Sequence, residues 1–239
     1  MTSFNTALET SISRLDWADI GTQLDVEGWA VLPGLLGPDA ARDLAQQATA
    51  SRADCERLEF TDLGRGELSY YGTNLPPSLA TLSSTLYRCL VSTANRWNET
   101  LGIAPRYPST LEDFLQLNRM AGQTRPQSHL TRLGVGDHLA LHQRSDGEHV
   151  FPLQLVAVLS EPGEDFQGGE FVMTEQRPRM QSRPAVLPLR LGDVAVIATA
   201  QRPFKGSKDY YRVNLKHAVS RVRQGKRIGL ELLFHGTQV

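Results

Sequence analysis

The chain has 239 residues, of which 40% are hydrophobic and 21% charged. That is ordinary globular composition, which excludes a disordered or collagen-like polymer and leaves enough length to bury one sizeable core. The formal net charge of -1 excludes a polycationic field over the whole molecule of the kind that grips nucleic acid.

Residues 1–17 hold no basic stretch followed by an apolar run, so no secretory signal is expected there. No window is apolar enough for a membrane span, and the expected location is the cytoplasm. Cys55 and Cys89 are the only cysteines, too few for a disulfide framework or a four-thiolate metal site, and they read as free thiols.

The first half of the chain reads as mainly helical, with one strand expected at Trp29–Leu32. Pro38-Asp39 opens a helix with Ala41, Leu44 and Ala48 on one face, because proline suits the first helical turn. The strongest helical pattern covers 79–101, where Leu79, Leu82, Leu86, Leu90, Ala94, Trp97 and Leu101 recur every three or four positions before Gly102 stops it. Ser109 and Glu112 have capping-box spacing and open a further helix with Leu111, Phe114, Leu115 and Leu117, which Gly122 ends. Each helix has one apolar face that needs a surface to cover.

From about residue 129 the pattern turns to short β-rich runs: 129–134, 138–143, 149–159, 169–174, 186–191, 193–198, 210–217 and 228–235. Gly168-Gly169, Gly192-Asp193 and Gln224-Gly225-Lys226 mark turns between them. In the last run Ile228, Leu230 and Leu232 alternate with Gly229 and Glu231. About eight short strands in ~110 residues predict two facing antiparallel sheets, a jelly roll or double-stranded β-helix. The predicted class is α+β, mainly β with a helical annex, the N-terminal helices packing on one sheet and Trp29–Leu32 joining its edge. A single domain over 1–239 is expected, with 1–128 as mainly helical support and 129–239 as the jelly-roll core.

Charge is unevenly placed. Residues 201–227 carry nine lysines and arginines against one acid, Asp209, so the remainder of the chain is acidic. Two readings stay open: a solvated basic edge, or a mouth that attracts a small anion.

Few groups in the β half suit difficult chemistry. There is no Gly-rich phosphate loop, no G-x-S-x-G elbow and no CxxC pair. His142 ends a strand, His217 lies late in the β region, and Arg227 follows His217 by ten residues. A jelly roll can bring such distant strands together at one open end, where two imidazoles can hold a divalent metal with coordination positions left free.

Several blocks carry a family resemblance: Gly28–Pro33, Gly64–Glu67, Asn95–Asn98, Gly122–Pro126, Gly147–Gln154, Gly168–Phe171, Thr174–Arg183 and Tyr211–Leu215. Through them nearly the whole chain resembles a bacterial branch of the Fe(II)/2-oxoglutarate-dependent oxygenases, close to the prolyl-hydroxylase-like group. That branch is associated with oxidative removal of methyl groups from damaged DNA. The resemblance implies Fe(II) and 2-oxoglutarate as cofactors, His142 and His217 as metal ligands, and Arg227 as the clamp on the distal carboxylate of 2-oxoglutarate. A guanidinium fork suits that task because it binds carboxylate bidentately.

Two positions depart from the family pattern. The His-x-Asp triplet reads His142-Gln143-Arg144, and a guanidinium has no lone pair to offer a cation. Leu133 stands where many relatives carry a tyrosine that helps hold 2-oxoglutarate. Asp146, in the turn Ser145-Asp146-Gly147, is the nearest replacement ligand, although extended chain would put it ~13 Å from His142 unless the turn curls back. Glu148 is a further candidate, and His138 shares a strand face with His142 at the same ~13 Å separation. A vacant third position is another alternative, as in halogenating relatives, with the Arg144 charge holding a halide or a substrate carboxylate beside the metal; in a metal-free use of the scaffold Arg144 would be a catalytic electrostatic group. The opposite outcome is loss of the metal, because +1 facing +2 at ~4 Å repels by several kcal/mol even at an effective dielectric near 20.

The expected function is therefore non-haem iron, 2-oxoglutarate-dependent oxidation of a small molecule, anionic substrates included. One alternative is a reused scaffold without iron or O2 chemistry, acting as a metal-free isomerase, lyase or cyclase or as a small-anion binding protein. A further alternative is oxidative repair of alkylated nucleic acid, for which the basic 201–227 segment is the only physical support; nucleic-acid and membrane partners are not expected.

Overall fold

The computed structural model describes residues 2–50, 55–72, 75–104 and 106–238. Helix α1 (Thr2–Ser13) leads into α2 (Trp17–Glu27), which starts where the Asp16 carboxylate accepts the Ala18 and Asp19 amides and stops at the left-handed Gly28. The chain continues through β1 (Trp29–Leu32), α3 (Pro38–Ala50), β2 (Cys55–Thr61), β3 (Gly64–Tyr70), α4 (Pro77–Thr100) and α5 (Leu111–Met120). In α3 Ala41 and Leu44 are buried, while the side chain of Ala48 lies outside the described set. Helix α4 buries Leu79, Leu82, Leu86, Leu90, Ala94 and Trp97 along one stripe, as its periodicity predicts. The α5 cap falls one residue later than expected: Thr110 rather than Ser109 is the N-cap, its hydroxyl accepting the Asp113 amide and donating to the Asp113 carboxylate. No helix among the described residues is long and apolar enough to cross a membrane.

Eleven strands follow among the described residues: β4 (His129–Leu133), β5 (His138–His142), β6 (Leu153–Val158), β7 (Phe166–Gly168), β8 (Phe171–Gln176), β9 (Arg183–Leu187), β10 (Val194–Ala198), β11 (Gln201–Lys205), β12 (Tyr210–Val219), β13 (Val222–Gly225) and β14 (Arg227–Leu232). The main sheet runs β1-β10-β6-β14-β4-β3-β5-β12-β8-β9, with neighbouring strands antiparallel. It folds back on itself as the expected jelly roll, with β1, β10, β6, β14 and β4 in one layer and β5, β12, β8 and β9 in the other. As predicted, β1 forms the edge beside β10.

The corner between the layers is β3, which pairs with β4 along one stretch and with β5 along another. Neither β2 nor β3 stands out in the sequence, so the segment before residue 129 contributes three strands and is less purely helical than expected. Glycines make the corner tight. A Cβ at Gly64 would meet the His138 carbonyl oxygen at 2.3 Å, and one at Gly66 would meet Leu133 Cδ2 at 2.3 Å.

An aromatic cluster ties the helices to the sheet. Tyr87 of α4 lies 4.8 Å from Phe151 between ring centroids, Phe151 lies 5.1 Å from Phe234, and Phe114 of α5 stacks on Tyr87 at 5.8 Å. Tyr87 and Tyr107 place their hydroxyls on the Pro108 and Val150 carbonyls at 2.9 and 2.8 Å, so their polar tips are satisfied inside the core.

Candidate metal centre

His142 and His217 face each other. They are direct partners across β5 and β12, and their ring centroids are 4.1 Å apart. His142 Nδ1 lies 2.8 Å from the Ala140 carbonyl, which can only accept, so Nδ1 carries the proton and Nε2 the lone pair. That Nε2 is buried and has no hydrogen-bond partner. Burial, then the neighbouring His217, pushes the His142 pKa down to about 3, which keeps the ring neutral and able to bind a cation. His217 is buried beneath Phe171, whose ring stacks on it at 5.8 Å, and its Nε2 is 3.3 Å from the Gln154 amide nitrogen.

The third group comes from the other layer. Glu231 on β14 sits opposite His129 on β4 and is 3% exposed. Its Oε2 lies 3.7 Å from His217 Nε2, 3.8 Å from His129 Nε2 and 3.5 Å from Arg144 Nε, yet makes no hydrogen bond. Ligand atoms of His142, His217 and Glu231 all lie within 4.8 Å of one another. Burial alone would raise the Glu231 carboxyl; its basic surroundings, with the permanently charged Arg144 guanidinium at 3.5 Å, outweigh it and hold the group well below its ordinary value, so it is a carboxylate.

Arg144 points into this cluster. The segment after β5 is pinned by the Gln143 amide, which donates to the Ala200 and Leu215 carbonyls at 3.0 and 2.8 Å, and by His235 Nε2, which donates to the Arg144 carbonyl at 3.1 Å. The guanidinium Nη2 lies 3.4 Å from His129 Nε2. His129 donates through Nδ1 to the Gln127 carbonyl at 2.8 Å, so that Nε2 is an acceptor for it.

Arg227 opens β14 at 3% exposure, and no acid lies within ion-pair distance of it among the described residues. Burial lowers its pKa to about 10. Residues 227, 229 and 231 share one face of the strand. The Arg227 guanidinium folds over Gly229, its Nη1 standing 2.6 Å from where a Cβ would be, with Thr131 Oγ1 2.7 Å from the same point. The interior face of β14 thus carries a cation, a gap and a carboxylate in sequence. Leu133 pairs with Arg227 across β4 and presents no polar group there.

The remaining candidates lie elsewhere. Asp146 is exposed and outside the cluster, and the 145–147 turn does not bring it to the histidines. Glu148 is exposed beside His149, and His138, though on the same strand as His142, is not among the converging ligands. Arg177 pairs with Glu175 at 2.7 Å and lies over Phe204 at 3.9 Å, lining a cleft of about 380 Å³ with Trp29, Met173, Arg202 and Leu215. Met173 is the β8 partner of His217 and Leu215 precedes it by two on β12, so the floor of this cleft adjoins the histidine pair. Sequence reasoning missed Glu231 and His129; the signal was a glutamate on the same strand face as Arg227.

Two imidazoles and a carboxylate whose ligand atoms lie within 4.8 Å of one another, with His142 Nε2 and Glu231 Oε2 left unsatisfied, form a donor set that fits Fe(II) or a similar divalent ion. The family described as "Oxygenase, catalysing oxidative methylation of damaged DNA" matches residues 66–237. An uncharacterised protein of Mycobacterium tuberculosis is 38% identical over 171 residues, 72% of this chain and 73% of that protein. Among solved structures, a Pseudomonas putida prolyl-4-hydroxylase superposes with a TM-score of 0.58 at 14% identity, covering 93% of this chain and 100% of that one. An oxidoreductase of the 2OG-Fe(II) oxygenase family from Burkholderia pseudomallei gives a TM-score of 0.55 at 16% identity, covering 94% of each chain. At these identities the structural likeness speaks for the fold.

Proposed function

From the premise that the chain belongs to the Fe(II)/2-oxoglutarate-dependent oxygenases, within the family that matches residues 66–237, we propose that it oxidises a C–H bond of a small molecule held in the cleft beside His217. The observation that carries this reading is the pair of opposed imidazoles, with an orphaned His142 Nε2, in the same barrel interior as an unpaired Arg227. Fe(II) with 2-oxoglutarate supplies, when bound, oxidation of a C–H bond by O2, with succinate and CO2 as co-products.

The chain's own residues bind and orient. His142 and His217 would hold the metal, and Arg227 would bind the distal carboxylate of 2-oxoglutarate through its two-pronged guanidinium. The charge of Arg227 is already desolvated, so an incoming carboxylate meets a donor that gives up little water. Gly229 leaves room for the guanidinium, and the walls of Leu133, Phe166 and Val222 keep water out. The cleft holds Trp29 and Phe204 for apolar contact and Arg177 and Arg183 for an anionic group on the substrate.

The test is an anaerobic titration with Fe(II) and 2-oxoglutarate, followed by succinate measurement on admitting air. We expect binding of both and succinate formation that His142→Ala abolishes and Arg227→Met suppresses by raising the requirement for 2-oxoglutarate. A wild-type protein that binds neither would overturn the reading in favour of a metal-free use of the scaffold. A second reading, a methylated nucleic acid as substrate, is favoured by the family description and by the exposed Arg212, Lys216, Arg221, Arg223 and Lys226 on β12 and its continuation. Failure to bind single- or double-stranded DNA at low salt would dispose of it.

A further inference from the structure

We propose that Glu231 is the carboxylate ligand of the metal centre, delivered from β14 of one layer to the histidines of the other, and that Arg144 is its counter-ion until the metal arrives. The proposal rests on the oxygenase reading and names the ligand which that reading leaves open.

Three observations lead to it. The position two residues after His142, from which the family's acid would reach the metal, holds a guanidinium with no lone pair to give. The two acids nearest in sequence, Asp146 and Glu148, are exposed. Two acids are buried among the described residues, and only one of them has a carboxylate oxygen without a hydrogen bond. Asp193 accepts the Gly34 and Arg190 amides at 2.7 and 2.9 Å, while Glu231 Oε2 accepts nothing. A desolvated carboxylate oxygen without a donor is costly and is retained where something else completes it. Here a carboxylate oxygen of Glu231 lies within 4.8 Å of a ring nitrogen of each histidine, and Oε2 itself is 3.7 Å from His217 Nε2.

Arg144 then has a defined part. Its Nε is 3.5 Å from Glu231 Oε2, close enough to offset the buried charge and too far to saturate the oxygen. A divalent ion does the same electrostatic task better, and Arg144 repels that ion. Metal loading therefore displaces Arg144 from Glu231, and removing the guanidinium favours loading twice over: it deletes a repulsion and leaves the metal-free carboxylate without its counter-ion. A ligand from the opposite layer also cross-links the two sheets, so loading raises the melting temperature.

The experiment measures Co(II) and Mn(II) binding by calorimetry and by thermal shift, without turnover. The proteins are the wild-type chain, Glu231→Gln, His142→Ala, Arg144→Met and Asp146→Asn. We expect one ion per wild-type chain, at least a hundredfold loss of affinity in both Glu231→Gln and His142→Ala, at least fivefold tighter binding in Arg144→Met, and no change in Asp146→Asn. Affinity kept in Glu231→Gln but lost in His142→Ala overturns the inference and leaves the oxygenase reading standing. No binding by the wild-type chain overturns the oxygenase reading itself. If Glu231→Gln does not fold, Glu231→Asp withdraws the carboxylate by one methylene: a tenfold or greater loss supports the assignment, and unchanged affinity overturns it.

Discussion

A buried guanidinium with no acid beside it is a group waiting for an anion, and Arg227 is held in that state by the residue two positions on. Gly229 has no side chain, and the Arg227 Nη1 occupies the space where one would be, 2.6 Å from the virtual Cβ. Gly229→Ala should therefore push the guanidinium and the Thr131 hydroxyl aside. The far end of an arginine can move, so the stability cost is expected to be roughly 1–3 kcal/mol, the usual cost of a small overpacking. Affinity for 2-oxoglutarate should fall at least tenfold, read by calorimetry on metal-loaded protein; an unchanged affinity would show that the arginine's position over residue 229 is irrelevant to the ligand. His142, His217 and Arg227 were legible in the sequence because they end or open β runs at spacings the family resemblance makes meaningful. Glu231 was hidden by a pattern that normally means the opposite. Its alternation with Leu230 and Leu232 puts it on the side a half-exposed strand turns to water, but β14 is covered on both faces and that side is the barrel interior.

At the scale of elements, the placement of α2 depends on one arginine from another part of the chain. Arg202 on β11 donates through Nη1 to the Asp25 carbonyl at 2.8 Å and through Nη2 to the Val26 carbonyl at 2.6 Å, and it pairs with Glu175 of β8. Those carbonyls belong to the last turn of α2, where no intrahelical donor remains and the helix dipole favours a cation. One side chain thus joins a helix end, β11 and β8 at the wall of the cleft of about 380 Å³. Arg202→Ala is expected to destabilise the protein by about 3–5 kcal/mol, because it strands a carboxylate and two carbonyls in a largely buried site. Arg202→Lys should recover less than half of that in chemical denaturation, since one ammonium cannot span the same acceptors; full rescue by lysine would mean that charge alone matters there. The helices and most of the later strands were readable because each has its own periodicity. The β2–β3 hairpin was not, since Gly64, Gly66, Glu67 and Ser69 are poor strand formers and only the tight corner between β4 and β5 gives them a reason to be there.

Across the whole molecule, the basic 201–227 segment divides along the alternation of its strands. Arg202 and Arg227 turn inward, while Arg212, Lys216, Arg221, Arg223 and Lys226 face water, so most of the basic segment is an exposed edge and only the inward pair is buried. The interior is correspondingly sparing of charge, and three of its histidines, His129, His142 and His235, are held neutral. Burial lowers the pKa of His129, takes His142 to about 3 and takes His235 to about 4. A base whose folded pKa lies below its unfolded value is favoured in the folded state only while it stays unprotonated. Its contribution is complete above the unfolded value of 6.5 and is lost as the pH falls toward the folded one, because the unfolded chain takes up the proton first. For His235 alone the loss between pH 7 and pH 5 comes to about 2 kcal/mol. Denaturant unfolding at a series of pH values should show wild-type stability falling steadily below pH 6.5, with His235→Gln losing about 2 kcal/mol less over the same interval. The glutamine amide can still donate to the Arg144 carbonyl, so the comparison isolates the proton rather than the hydrogen bond. Parallel slopes for the two proteins would mean that His235 takes up its proton equally in the folded and the unfolded chain, so that burial in the fold does not hold the ring neutral.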